Sequence, residues 1–463
     1  MMRLICLWVA LLLSLRAQGP PTPFLPAEQC ATCHSLLFAP GVESRSIAPY
    51  GLWSASMMAH SAVDPIWKAQ VRFEGETNPR AKALVEKKCR SCHAPMGTDE
   101  GVSCTVCHKI EATGLGTPAS FTAGFRINTK DLIYGPHKDP FTMPMRMHTG
   151  MTPSFGRHIL ESSLCGSCHT VITPVLDEQG NAHGEFLEQA PYLEWLASAF
   201  PGEGKTCQSC HLPQLGEASY IAHRPPGGPF PPTSPRLPFG LHTLIGGNYL
   251  APALMGETNP GERDMLARTT ARALDSLRSA LDLSLSARRT GNRIRVQVGV
   301  ENRTGHKLPT GFPGRRLWLH LRVTGSSGAV LFESGAPTGP IPDEPHHNVI
   351  ESADQTIVYE ASLLDRNGQP AFSVMRAARY GKDNRILPRG WKSGSAAIAP
   401  VGTTGDANFL PGSDLVDYLI PGSTGECKLE VEAYYQAMKP GYAITGPAAR
   451  IGSATYTLAA QSP

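Results

Sequence analysis

The chain has 463 residues, a formal net charge of +3 and 41% hydrophobic residues. That length exceeds one ordinary domain and suits two or three. With 46 Gly and 41 Pro, about a fifth of the chain, long loops are expected, and the lack of any basic run excludes an ordinary nucleic-acid-binding surface.

In chain order, Arg3, the apolar stretch Leu4–Leu15 and the small residues Ala17 and Gly19 come first. They read as a secretory signal peptide over residues 1–19. The competing reading is a membrane anchor, for which the apolar core is short. No later segment is long and apolar enough to span a bilayer. The expectation is an exported chain with its leader cleaved. Loss of Arg3 and Arg16 would lower the formal charge to about +1.

Residues 26–259 hold five Cys-x-x-Cys-His units: Cys30-Cys33-His34, Cys89-Cys92-His93, Cys104-Cys107-His108, Cys165-Cys168-His169 and Cys207-Cys210-His211. Of twelve cysteines, Cys6 leaves with the leader and Cys427 stands alone. Zinc needs four ligands, and five units do not pair evenly. Disulfides suit an exported chain, but they do not require a His after every second Cys. A c-type haem requires all three residues: two thiols join the porphyrin and the next imidazole binds its iron. Five haem c groups are expected, with His34, His93, His108, His169 and His211 as proximal ligands. The second and third motifs are so close in sequence that their haems are expected to form a near-contact pair.

Candidates for the sixth ligands come from the remaining histidines. His60 lies in an expected helix, "LWSASMMAHSAVDPIW". His148 lies among Met143, Met145, Met147 and Met151. His242 precedes Gly246-Gly247, and His306 lies far beyond the last motif. His137, His158 and His223 compete for the fifth place. His183 reads as loop surface, and His320 faces away from the apolar side of its strand.

Short helices are expected at "TNPRAKALVEKKC", with Asn78 as N-cap, and at "APYLEWLASAF". "RPPGGPFPPTSPRLPFG", 224–240, reads as a linker or a haem covering. One helix is expected over 260–280, joining two domains. From 281 to 463 the period changes from helical to alternating, beginning with a hairpin around Thr290-Gly291-Asn292. Ile294, Val296, Val298 and Val300 line one face. "RRLWLHLRVTGSSGAVLFESG", "QTIVYEASL", "CKLEVEAYY" and "SATYTLAA" read as further strands. The fold class is thus α+β multidomain: a loop-rich, short-helix multihaem cytochrome domain, then an antiparallel, Ig-like β-sandwich. Cys427 reads as a core thiol. Asp383-Asn384-Arg385 at a turn, and Asp406, Asp414 and Asp417 in a later loop, read as solvated polar clusters rather than a calcium site.

"WSASMMAHSAVDP", "SSLCGSCHTVITP", "CQSCHLP", "LHTLIGGN" and "NRTGHKLPTGFPGRRLWLHLRV" together resemble exported bacterial multihaem c-type cytochromes. Distant relatives include hydroxylamine oxidoreductase and pentahaem nitrite reductase. The resemblance implies a C-terminal β-domain, a periplasmic or cell-surface location, unidentified redox partner proteins, and distal roles for His60, His148, His242 and His306. It does not carry either catalytic activity. The nitrite reductases have a motif ending in Lys, whereas all five motifs here end in His. The hydroxylamine oxidoreductases have more motifs and a Tyr cross-link. Electron transfer through five haems, mostly bis-His, is expected. The alternatives are a reductase with one open iron acting on a small nitrogen or sulfur oxyanion, and a scaffold whose β-domain docks a partner.

Overall fold

The computed structural model describes residues 23–39, 42–224, 234–394 and 399–461. The leader expected at 1–19 and residues 225–233 of the Pro-rich run lie outside the described residues.

Up to His211 the helices are short, and each Cys-x-x-Cys-His unit sits in or against one. The first, second, third and fifth motifs end the helices Glu28–His34, Lys82–His93, Cys104–His108 and Cys207–His211. The fourth runs out of Ser162–Gly166. A helical turn points two thiols three residues apart toward one side, with the following imidazole close by.

The segment around His60 is not one helix. Pro49–Ser54 ends early, turns carry His60, and a new helix runs Pro65–Thr77. Asp64 explains the break. Its carboxylate accepts from the Ile66 and Trp67 amides at 2.8 and 3.3 Å, and Pro65 disfavours helical backbone at the residue before it. Asn78 takes the expected N-cap position, before Pro79 of the short 3-10 helix Pro79–Ala81 that leads into Lys82–His93, but its side chain makes no cap hydrogen bond. It also ends Pro65–Thr77, and its Nδ2 donates to the Glu74 carbonyl and to Ser373 Oγ. Leu250–Thr258 is a helix not expected from the sequence, and the helix expected over 260–280 follows it as Arg263–Arg278. Asn259-Pro260 closes the first of these. The second buries Leu266, Ala273 and Leu277.

From Leu281 the chain is β. One sheet runs Arg379–Asp383, Val358–Leu364, Arg316–Gly325, Cys427–Gln436, Ala448–Leu458, with Val330–Ser334 added on Arg316–Gly325. The other runs Val349–Ile350, Ser413–Pro421, Arg293–Asn302, Leu281–Thr290, its Val349–Ile350 pairing being parallel. The hairpin forms as expected, with Leu281–Thr290 paired along the whole of Arg293–Asn302. Ile294, Val296, Val298 and Val300 share one core with Leu319, Leu321, Leu429 and Val431 of the other sheet. All are at most 1% exposed, and each such side chain contributes about 1.5–3 kcal/mol. Cys427 is buried in this core.

The acidic stretch near 414 is not a loop. Ser413–Pro421 is a strand paired with Arg293–Asn302. Asp417 is ion-paired to Arg295 and Asp414 accepts from the Tyr359 hydroxyl at 2.7 Å. Asp414 shares the buried face of this strand with Val416, Tyr418 and Ile420, whereas Asp417 lies on the opposite face and is covered through its pair with Arg295; sequence alone shows only polarity. Asp406 bonds His346 Nε2 at 2.8 Å. These three carry no calcium-type loop. Asn384 Oδ1 accepts from the Glu360 amide, so its amine faces His346 Nδ1. The His346 proton is therefore on Nε2, the nitrogen a metal shared with Asp406 would need.

Asp383, Asn384 and Arg385 are likewise buried rather than solvated. Asp383 pairs with Lys307 at 2.5 Å and with Arg385 at 2.7 Å, and Arg385 reaches Glu194 at 3.0 Å. Glu194 also accepts from the Lys307 amide and the Thr310 hydroxyl. A second set of contacts joins Glu74 to Ser373 Oγ and the Val374 amide. These buried bonds hold the helical part against the sheets, because a buried carboxylate without donors is strongly unfavourable.

Candidate functional site

A cavity of about 1090 Å³ runs through the helical part and up to the sheets, larger than the roughly 300–1,000 Å³ of ordinary ligand pockets. All ten motif thiols and all five motif imidazoles line it. None of these thiols is in a disulfide. The helix of each motif therefore presents its whole Cys-x-x-Cys-His set to one shared interior. In the fourth motif a residue larger than Gly166 would not fit, since a Cβ there would meet the Tyr192 ring at 2.6 Å.

Three of the five motif imidazoles are held by one nitrogen. His34 Nδ1 donates to the Ile221 carbonyl at 2.7 Å, His108 Nδ1 to Tyr134 at 2.6 Å and His211 Nδ1 to Ile245 at 2.6 Å. This fixes the tautomer and leaves Nε2 as a lone-pair donor, the arrangement that orients a metal-bound His. His93 stacks on Trp67, with ring centroids 4.9 Å apart at 7°. Burial holds His93 and His169 down to about 4, and it also lowers His34 and His108. Neutral rings are what an iron requires.

Two further histidines complete pairs. His242 faces His108 with ring centroids 6.3 Å apart, and His306 faces His211 at 6.5 Å, both at 21° between planes. A metal–imidazole bond of about 2 Å on each side, plus roughly 1 Å from each nitrogen to its ring centre, puts two trans imidazoles about 6 Å apart. His242 Nδ1 donates to the Gly240 carbonyl at 2.9 Å. His306 Nδ1 is 3.0 Å from the Lys307 carbonyl and 3.1 Å from Thr304 Oγ. Burial holds His242 at about 4 and lowers His306. The residues therefore fit haem: thiols that would tether it, three motif imidazoles anchored through Nδ1, and two histidine pairs with ring centres 6.3 and 6.5 Å apart that would hold an iron between them.

The other candidates are placed differently. His60 lies outside the cavity lining, yet its Nε2 is buried without a hydrogen-bond partner. His137 and His148 line the cavity. Burial lowers His137, and His148 Nε2 is 3.2 Å from the Gln29 carbonyl. His158 is committed elsewhere, its Nε2 bonded to the Ile110 carbonyl at 2.8 Å and its ring against Tyr134. His223 Nδ1 is buried and unpartnered, and its amide donates to the Cys33 carbonyl. His183 is exposed on the strand Ala182–Gln189 and bonds Asp177. His320 lies between Glu333 and Glu432. Among the described residues no imidazole ring faces His34, His93 or His169 as His242 faces His108.

Contacts between motifs do not follow sequence. Cys30 lies beside Cys104, Cys92 beside Cys168, and Cys165 beside Cys207. The second and third motifs, nearest in sequence, have their thiol contacts elsewhere: the chain leaves His93, runs through turns and re-enters beside the first motif. Sequence reasoning also missed the anchoring carbonyls of Tyr134, Ile221, Gly240 and Ile245. No side-chain pattern marks a backbone acceptor.

No family model matches the chain, and no curated protein matches it. Among solved structures it is similar to the crystal structure of a penta-heme cytochrome c552 from Thermochromatium tepidum. The TM-score is 0.59 at 20% identity, over 94% of this chain and 99% of that one. The chain shares the fold of that protein across nearly its full length.

Proposed function

We propose that the protein is a five-haem c-type cytochrome that conducts electrons outside the cytoplasm, in the periplasm or at the cell surface, between redox partner proteins. The observation that carries this is the convergence of all fifteen motif residues on one cavity. Each haem iron, when bound, gains or loses one electron. The chain's own residues do the rest. Ten thiols tether the cofactors, and five imidazoles, three of them anchored through Nδ1, hold the irons. The Ile221, Tyr134 and Ile245 carbonyls keep the His34, His108 and His211 rings from rotating. The buried ion network around Glu194 keeps His306, supplied by the sheets, opposite His211. The thiol contacts order the sites. The first motif adjoins the third, the fourth adjoins both the second and the fifth, and Cys107 lies near enough to Cys165 and Cys168 to raise both thiols along with burial.

His242 and His306 are the distal ligands of the third and fifth haems. A multihaem reductase remains a second reading for a specific reason: His34, His93 and His169 face no second imidazole among the described residues. Intact mass and absorbance of the matured protein test the first reading. Five haem masses and a c-type spectrum are expected, and a smaller number would overturn it. A five-coordinate, high-spin haem in the resting protein would favour the second.

A further inference from the structure

Of the residues with which the loop 306–315, "HKLPTGFPGR", lines the cavity, two carry basic side chains. One is His306. The other is Arg315. It lies near enough to both His169 and His306 that its charge, added to burial, disfavours protonation of either ring.

The hydrogen bonding of Arg315 is far from complete. A guanidinium has five N–H donors. Arg315 Nη1 donates to the Thr310 carbonyl at 2.8 Å, and among the described residues no carboxylate lies within ion-pair distance of it. Other arginines nearby differ. Arg236 and Arg303 line the same cavity and are paired with Asp139 and with Glu301 and Asp282. The adjacent Arg316 is buried against Gln436 Oε1, the Ile341 carbonyl and the Trp318 ring. Asp64, also in the cavity, is near enough to feel the Arg315 charge, but it makes no ion pair with it and accepts from the Ile66 and Trp67 amides. The loop is shaped around the guanidinium: Gly311 is at φ +83°, and a Cβ there would come within 2.9 Å of Arg315 Nη1. An unpaired cation with a fork of free donors, facing an apolar cavity, fits a planar oxyanion held by two parallel hydrogen bonds.

We propose that Arg315 is the anion anchor of the cavity, binding a carboxylate-like oxyanion between His169 and His306. Two sources share that chemistry: a propionate of a bound haem, and a small soluble oxyanion. The proposal rests on the haem reading above.

The test uses the matured protein and its Arg315→Gln and Arg315→Lys variants. Intact mass first establishes that all five haems are attached, so a failure of the haem reading is recognised separately. Spectroelectrochemical titration then reads each haem. If a propionate is bound, one haem midpoint falls in Arg315→Gln, because its electron is no longer stabilised by the guanidinium. The midpoint is largely restored in Arg315→Lys, and added nitrite changes nothing. If a soluble oxyanion is bound, nitrite perturbs the wild-type spectrum saturably and the apparent affinity drops at least tenfold in Arg315→Gln. Five haems attached, unchanged midpoints and no difference in nitrite response would overturn the proposal. Should Arg315→Gln fail to mature, Arg315→Met decides by the same readouts: a lowered haem midpoint without a nitrite response supports a propionate, unchanged midpoints with at least tenfold weaker nitrite binding support a soluble source, and no change in either refutes both.

Discussion

Replacing His306 with Ala gives the sharpest check on how the sheets take part in the site. His306 is supplied by the loop that precedes Arg316–Gly325, and its ring centre lies 6.5 Å from that of His211. Alanine removes the second axial nitrogen from one iron only. The other facing pair, His108 and His242, shares no residue with it. About one fifth of the haem iron should therefore pass from low-spin to high-spin, since one axial ligand of five haems is lost. The Thr304 hydroxyl keeps its bond to Asn302 Oδ1, so the loop should stay folded at a cost of about 1–3 kcal/mol. Low-temperature paramagnetic resonance, integrated against total haem, measures the fraction. His320→Ala is the control, because that ring is engaged by Glu333 and Glu432. An unchanged spin state in His306→Ala would show that its facing geometry does not serve an iron.

Glu194→Ala should destabilise the protein by about 3–5 kcal/mol, as breaking a buried pair leaves Arg385 and the Lys307 amide short of an acceptor; denaturant unfolding measures it. Leu319→Ala, in the core shared by the two sheets, should cost about 2–5 kcal/mol in the same assay. Cys207→Ser should reduce the mature mass by one haem or leave that haem on a single thioether, whereas Cys427→Ser should leave the haem count at five. Asp417 is held below the usual carboxylate range, first by hydrogen bonds from Arg295, against burial. Its contribution is therefore present above about pH 4, the unfolded carboxylate range, and is lost as pH falls through the lower folded value. In Asp417→Asn that part of the acid sensitivity should vanish, read as a flatter stability profile below pH 4.

The sequence alone determined what is local or covalent. Cys-x-x-Cys-His names the cofactor because three adjacent residues must meet one porphyrin, and that holds in any fold. The alternation of Ile294, Val296, Val298 and Val300 determined a strand with one buried face for the same reason: its period is that of the pleat. The tertiary structure decided everything that depends on distant partners. It chose His242 and His306 to face His108 and His211, and it committed His158 to the Ile110 carbonyl. It set Cys30 against Cys104 although the second motif lies between them in sequence. It also turned Asp383, Arg385 and Asp417 from expected surface into buried ion pairs. A lone histidine or aspartate carries no periodic signal. Its role is fixed by which carbonyl, cation or second ring the folded chain brings within a few ångströms, and only the packing supplies that.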